Sequence, residues 1–433
     1  MKRSDGYIDQ RRWPQLSRTP EAVMMFRRAA TVTQRLNALL REHGVALDSQ
    51  TDPHMIVRDG QLIDRLVAAG WLGLAEGYMA GEWDADPLSE VLKVLLTQPF
   101  EARLGQFLSR RQPSVADRAG EPMPGELPEG LIELYAGATR ATGSALFSSS
   151  SRTTSREHVD VRVRGSRGSK VAPVTIEQTW LGSPVEVERQ DLDDAQRRRI
   201  EVMLDHAGVR PGDRVLELPS SGGQLAIQAA LRGAHVDVLT GDEDHSEAVM
   251  ARARAAGLSG AIHVEVISTP IPSPRQWSGR YEAIFSVERM ETVGKDRLVH
   301  FLRAVDRLLA ADGIAIIQSI VAAPGMRETA RESLDVMRAY VWPGMHYPTV
   351  DEVRSTVLKS TDLSVTAESY LGAHLGATLP LWRANFLSRD RQAAAAGFDH
   401  VFRRLWDYQL ALHQALVESK DIECVQFALR PRR

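Results

Sequence analysis

Residues 191–218 read DLDDAQRRRIEVMLDHAGVRPGDRVLEL, and residues 219–224 continue PSSGGQ. The stretch begins as a helix that stops at Gly208; Pro211, Gly212 and Asp213 turn the chain, and RVLEL from Arg214 is a strand. SSGG, residues 220–223, then opens a second helix, QLAIQAALRG, which feeds the strand HVDVL from His235. The alternation continues. SEAVMARARAAG is helical, HVEVI and YEAIFSV are strands, RLVHFLRAVDRLLA is helical and GIAIIQSI from Gly313 is a strand. Helix and strand in strict succession predict a doubly wound parallel sheet covered by helices. Ligands of such sheets bind outside the carboxyl ends of the strands. The candidate site is therefore built from the loops at 219–223, 240–244, 268–272 and 288–294.

Outward from this core, residues 20–44 carry Val23, Met24, Phe26, Val32, Leu36, Leu39 and Leu40 at helical spacing before Gly44, which predicts an amphipathic helix. A short strand at 55–57 and a helix from Gln61 that ends near Gly70 complete a small mixed N-terminal domain over residues 1–111. The stretch 112–130 is dense in Pro and Gly and reads as a linker. Residues 148–170, SSSSRTTSREHVDVRVRGSRGSK, form an irregular, locally basic segment, either a loop for phospholipid headgroups or a solvated loop without a partner. The expected organisation is thus an N-terminal domain over 1–111, a linker and basic segment over 112–191, and a doubly wound domain over 192–433.

Composition narrows the function classes. With 53 basic and 56 acidic side chains among 433 residues the net charge is −3, so no global field attracts nucleic acid or anionic lipid. One cysteine, Cys424, excludes an internal disulfide framework and a cysteine zinc cluster, and no metal site is expected. A basic start without an apolar segment behind it predicts no secretory signal, and no apolar stretch is long enough for a membrane span. A cytoplasmic protein, peripheral on the inner face of the membrane, is the expectation.

The segment 191–218 resembles the approach to the donor loop in cyclopropane fatty acid synthases and mycolic acid cyclopropane synthases. Further matches follow in order: FSVERMETVG from Phe285, YVWPGMHYPTVDEV from Tyr340, LGAHLGATLPLWRANF from Leu371 and FRRLWDYQLAL from Phe402, with GLAEGYMAGEWD from Gly73 near the N-terminus. The resemblance implies a Rossmann-like class I methyltransferase sheet that transfers a one-carbon unit from S-adenosyl-L-methionine to the double bond of an unsaturated fatty acyl phospholipid. It also implies bicarbonate as proton acceptor, a peripheral membrane surface as partner, and no nucleic acid.

In this pattern Glu217, Ser221, Gly222, Gly223, Thr240 and Asp242 are the donor-binding candidates, and Glu291 and Gln318 the catalytic ones. Asp242 reads either as a ribose-binding carboxylate or as an acidic helix start. Several positions depart from the family: Pro219 and Ser221 replace residues of its glycine-rich loop, Ser268, Thr269 and Pro270 its polar pair at the third strand, and Leu375 its tyrosine. Ser144, in GSALF, aligns with its cysteine. These departures raise an alternative reading, a catalytically silent paralogue that serves as a lipid-binding scaffold or oligomerises with an active homologue.

Overall fold

The computed structural model describes residues 8–18, 21, 24–49, 51–100, 126–149, 152–161 and 174–432. The linker expected at 112–130 lies outside these up to residue 125, as do residues 150, 151 and 162–170 of the basic stretch. The chain divides into two compact units. One comprises Met1–Met123, Gly325–Pro343 and Phe386–Asp421; the other comprises Pro124–Pro324, Gly344–Asn385 and Ile422–Arg433.

The first unit opens with helix α1 (Met25–Glu42), whose Val32, Leu36, Leu39 and Leu40 are buried as their spacing predicts. Strands β1 (Ala46–Leu47), β2 (His54–Val57) and β3 (Trp83–Asp86) form a small mixed sheet around helix α2 (Gln61–Met79), and α3 (Leu88–Leu95) follows. The helix that starts at Gln61 breaks at Gly70 as expected, with Gly70 at φ 53° and ψ −123°, and a second helical segment of α2 follows to Met79. Trp71, Leu72, Leu74 and Ala75 beyond the break are buried, and Gly73 lets the second segment fold back on the first, a Cβ there lying 2.0 Å from the Arg65 carbonyl oxygen. A charge sits inside this unit. Arg65, 1 % exposed, donates from Nε to both Glu82 oxygens at 2.9 and 3.0 Å and from Nη2 to the Leu16 carbonyl at 2.8 Å. Tyr340 donates to Glu76, which lies 3.8 Å from Arg65.

The second unit holds α4 (Glu129–Tyr135), β4 (Ser155–Val161), β5 (Val174–Trp180), α5 (Leu192–Ala207), β6 (Arg214–Glu217), α6 (Gln224–Leu231), β7 (His235–Thr240), α7 (Glu243–Ala255) and β8 (Ile262–Val266). It continues with β9 (Tyr281–Val287), α8 (Leu298–Leu308), β10 (Leu309–Ala322), α9 (Val350–Ser360), β11 (Leu363–Tyr370), α10 (Gly372–Ser388) and β12 (Ile422–Pro431). Nine strands form one sheet in the order β4-β5-β11-β12-β10-β9-β6-β7-β8. From β10 to β8 all neighbours are parallel, the doubly wound core that the alternation predicts. β12 enters antiparallel between β10 and β11, and β4 pairs antiparallel with β5. Because helices cover both faces, β10 is buried continuously from Gly313 to Ala322. Part of the stretch read as irregular is therefore ordered: residues 155–161 are the edge strand β4, pairing His158 with Glu177 and Val159 with Ile176.

Candidate functional site at the carboxyl ends of the parallel strands

β6 delivers Glu217 to the carboxyl edge of the sheet, where the side chain is fully buried. Its Oε1 accepts from the Ser221 N–H at 2.6 Å and the Ser221 hydroxyl at 2.5 Å, so the carboxylate closes its own loop. Burial holds this carboxyl above the ordinary range, against those two hydrogen bonds. Oε2 has no hydrogen-bond partner among the described residues. The two left-handed positions of the loop are Gly222 at φ +104° and Gly223 at φ +79°. Pro219 and Ser221, where the resemblance leads one to look for glycine, are not left-handed. The turn thus keeps glycine where its backbone needs it. Gly222 also permits a close approach: a Cβ there would lie 2.1 Å from the Arg140 carbonyl oxygen.

At the end of β7, the Thr240 hydroxyl and the Gly241 N–H both donate to the Glu126 carboxylate, the latter at 2.9 Å. Asp242 is the N-cap of α7, its Oδ1 accepting from the His245 N–H at 2.9 Å. Next to it, Glu129 of α4 pairs with buried His245 at 3.0 Å and with Arg252. Beyond β8, Ser268 accepts from Gln276, Thr269 donates to the Ile271 carbonyl, and the Pro270 carbonyl accepts from Arg289 at 3.0 Å. These loop side chains are engaged with one another.

The turn after β9 carries the second group of candidates. Glu291, 3 % exposed, accepts from the Ile320 N–H at 3.1 Å on Oε1 and lies 2.5 Å from the Ser319 hydroxyl through Oε2. Burial first, and then the neighbouring Glu288, push its carboxyl up to about 8. Near neutral pH it therefore carries a proton, which Oε2 can donate to Ser319 while Ser319 donates to the Ile320 carbonyl at 3.3 Å. Gly294, at φ +93°, lets this turn pass the Gly344 carbonyl, 3.1 Å from where a Cβ would stand. Gln318 of β10 is fully buried; its Nε2 donates to the Ser144 carbonyl at 3.4 Å and its Oε1 accepts from Gln426 at 2.9 Å. Ser144 in turn donates its N–H to Glu288 at 3.0 Å. GSALF is thus brought beside Gln318 and the β9 turn.

His374 of α10 is buried, accepts from the Phe147 N–H at 3.2 Å, and is held at about 4 chiefly by burial, hence neutral. Cys424 is buried, and burial pushes its thiol well up, so it is inert as a nucleophile.

The candidates form two groups, Glu217 to Asp242 around β6 and β7, and Glu291 with Gln318 around β9 and β10. Between them lie residues the sequence reading passed over, Arg199 of α5 and Glu288. Glu288 adopts φ 51°, and burial raises its carboxyl. Arg199 is fully buried, and its guanidinium lies in the electrostatic reach of Glu288 and Glu217. One signal was available: in DAQRRRIEVM the helical period sets Arg199 on the same face as Gln196, Ile200 and Met203, all buried.

A Rossmann-type sheet with an antiparallel strand beside its last parallel strand, bearing acidic and glycine-rich turns at its carboxyl edge, is a class I methyltransferase fold. The chain belongs to the mycolic acid cyclopropane synthetase family, whose model matches residues 180–427. It is 27% identical over 445 residues to the tuberculostearic acid methyltransferase UfaA1 of Mycobacterium tuberculosis, covering 98% of this chain and 96% of that protein. It is 24% identical over 397 residues to the cyclopropane-fatty-acyl-phospholipid synthase of Escherichia coli strain K12, covering 90% and 91%. Among solved structures, the cyclopropane synthase MmaA2 from Mycobacterium tuberculosis shares the fold at a TM-score of 0.55 and 19% identity, over 74% of this chain and 99% of that one.

Proposed function

We propose that this protein transfers a one-carbon unit from S-adenosylmethionine to the double bond of an unsaturated fatty acyl chain, carried on a phospholipid at a membrane surface. The observation that carries the reading is the buried polar constellation at the carboxyl edge: Glu217 with an unsatisfied oxygen, and Glu291 locked into Ser319 and Ile320. Packing alone gives no reason to bury such groups. The family membership and the near full-length matches to lipid-modifying enzymes support the same chemistry.

The residues present fit the donor. An orphaned Glu217 oxygen and two left-handed glycines offer the acceptor and the close backbone that a nucleoside with a charged amino-acid end requires, while at the Thr240–Asp242 turn the donor would take the place of the Glu126 carboxylate. Glu217, Ser221, Gly222, Gly223, Thr240 and Asp242 would hold it. When bound, the donor supplies an electrophilic methyl group on a sulfonium. Glu291, protonated near neutral pH, orients the β9 turn through Ser319. Glu288, raised by burial but ionisable, is the carboxyl suited to accept the proton that the acyl chain gives up. Bicarbonate fits poorly, because the Gln318 amide is already engaged by Ser144 and Gln426, and Leu375 brings no hydroxyl.

Among the described residues no helix is long and apolar enough to cross a membrane, so the substrate would be met at the bilayer surface. The test is incubation of purified protein with methyl-labelled S-adenosylmethionine and vesicles of an unsaturated phospholipid. Label in the acyl chain is expected. A folded protein that neither binds the donor nor labels lipid would refute the reading and favour the silent lipid-binding paralogue.

A further inference from the structure

Arg199 presents a physical problem. Its side chain is wholly shielded from solvent, yet Nε, Nη1 and Nη2 have no hydrogen-bond partner among the described residues. No ion pair compensates it there either. Isolating a guanidinium in this way costs several kcal/mol, and native proteins leave such a group unpaired mainly where something else completes it. The backbone passes close beside it. Gly143, at φ +88°, passes so close that a Cβ would lie 2.8 Å from Arg199 Nη1 and 3.1 Å from Gln318 Nε2. Gln196, one turn earlier on α5, ties down this segment by donating to the Gly143 carbonyl at 2.9 Å.

The second observation is Glu217 Oε2, also buried and also without a hydrogen-bond partner among the described residues. Glu288 first and then Glu217 act on the guanidinium electrostatically, and neither forms a hydrogen bond with it. A buried carboxylate oxygen and a buried guanidinium, each with open hydrogen-bonding capacity, call for an occupant bearing both complementary charges. A simple anion would satisfy Arg199 and leave the Glu217 oxygen orphaned. An α-amino acid end satisfies both.

We infer that Arg199 and Glu217 together form the receptor for the zwitterionic amino-acid end of the methyl donor, Arg199 taking its carboxylate and Glu217 its ammonium group. This rests on the reading of the chain as an S-adenosylmethionine enzyme and adds the residue that selects the donor's carboxylate. The guanidinium is fixed in the fold before the ligand arrives, so the ligand need not order it.

The test compares, by calorimetry, binding of S-adenosylmethionine and of its decarboxylated analogue to the wild-type protein, Arg199→Met and Arg199→Lys. Wild type should prefer the carboxylate-bearing nucleoside by at least about tenfold. Arg199→Met should bind the two equally, and Arg199→Lys should keep part of the preference. The thermal midpoint of unliganded Arg199→Met should be no lower than that of wild type, because the substitution removes an unpaired buried charge; a purely structural arginine would give the opposite shift. If Arg199→Met does not fold, the inference is refuted in that form, and Arg199→Lys still reports the preference. Undiminished preference in either variant overturns the inference, and if Arg199→Met at the same time loses a bicarbonate response seen in wild type, the guanidinium serves an inorganic anion instead. Failure of wild type to bind either nucleoside overturns the function proposal itself, which is a separate result.

Discussion

Replacing Glu291 by glutamine should make the protein more stable in mild alkali while leaving it nearly unchanged in acid. Folding takes this carboxyl from an ordinary value near 4.5 to about 8, through burial and then the neighbouring Glu288. Between those values the folded chain holds a proton that the unfolded chain has released. Unfolding therefore releases protons, and stability falls as pH rises from about 4.5 to about 8, then levels off. At about 1.4 kcal/mol per pH unit the shift caps the loss at roughly 5 kcal/mol, and a few kcal/mol is expected once relaxation and coupling to Glu288 are allowed for. Glutamine is nearly isosteric; its carbonyl can accept from Ile320 and its amide can donate to Ser319, the pattern of the protonated acid. Urea unfolding at about pH 5 and about pH 8.5 reads the effect, the variant gaining on wild type only at the higher value. An identical pH slope in the two proteins would show that Glu291 is ionised in the fold, and the protonated network would be wrong.

Two further substitutions probe the packing beneath the proposed site and the other compact unit. Gly143→Ala would place a methyl 2.4 Å from Val287 Cγ1 at a left-handed backbone position, and should cost about 1 to 3 kcal/mol in chemical denaturation; an unchanged midpoint would mean that this segment does not press on β9. Glu82→Ala strips Arg65 of its bidentate partner in the interior, and should destabilise that unit by about 3 to 5 kcal/mol, visible as early loss of amide protection in α2. Full protection in that helix would show that Glu76 and the Leu16 carbonyl suffice.

Period and punctuation in the sequence determined the parallel core. From Leu192 onward the helices and strands are short, amphipathic or wholly apolar, and most are bounded by glycine or proline, so local physics largely orders them; α8 runs straight into β10 at Leu308–Leu309 without either. The same local chemistry marked Gly222 and Gly223, because a strand-to-helix turn needs left-handed residues and nothing but the chain itself has to supply them. The residues after Ala322 are different. Nothing in the spacing of ECVQFALR says that it inserts antiparallel between β10 and β11, and nothing local says that Phe386–Asp421 packs with the N-terminal helices, because both depend on partners far away in sequence. At Gly70 the breaker acts locally as its residue type says, but that Trp71 to Ala75 then fold back into the interior depends on what they pack against. For the site, residue types singled out Glu217, Glu291 and Gln318, which lie at the end of β6, in the turn after β9 and within β10, but the meaning of each side chain waited on tertiary structure. Whether a carboxyl is charged depends on what surrounds it, and whether an arginine in QRRR is a solvated charge or an unpaired one depends on which face of α5 the sheet covers. Burial and charge pairing are properties of the assembled fold; they become visible only when segments distant in the chain meet.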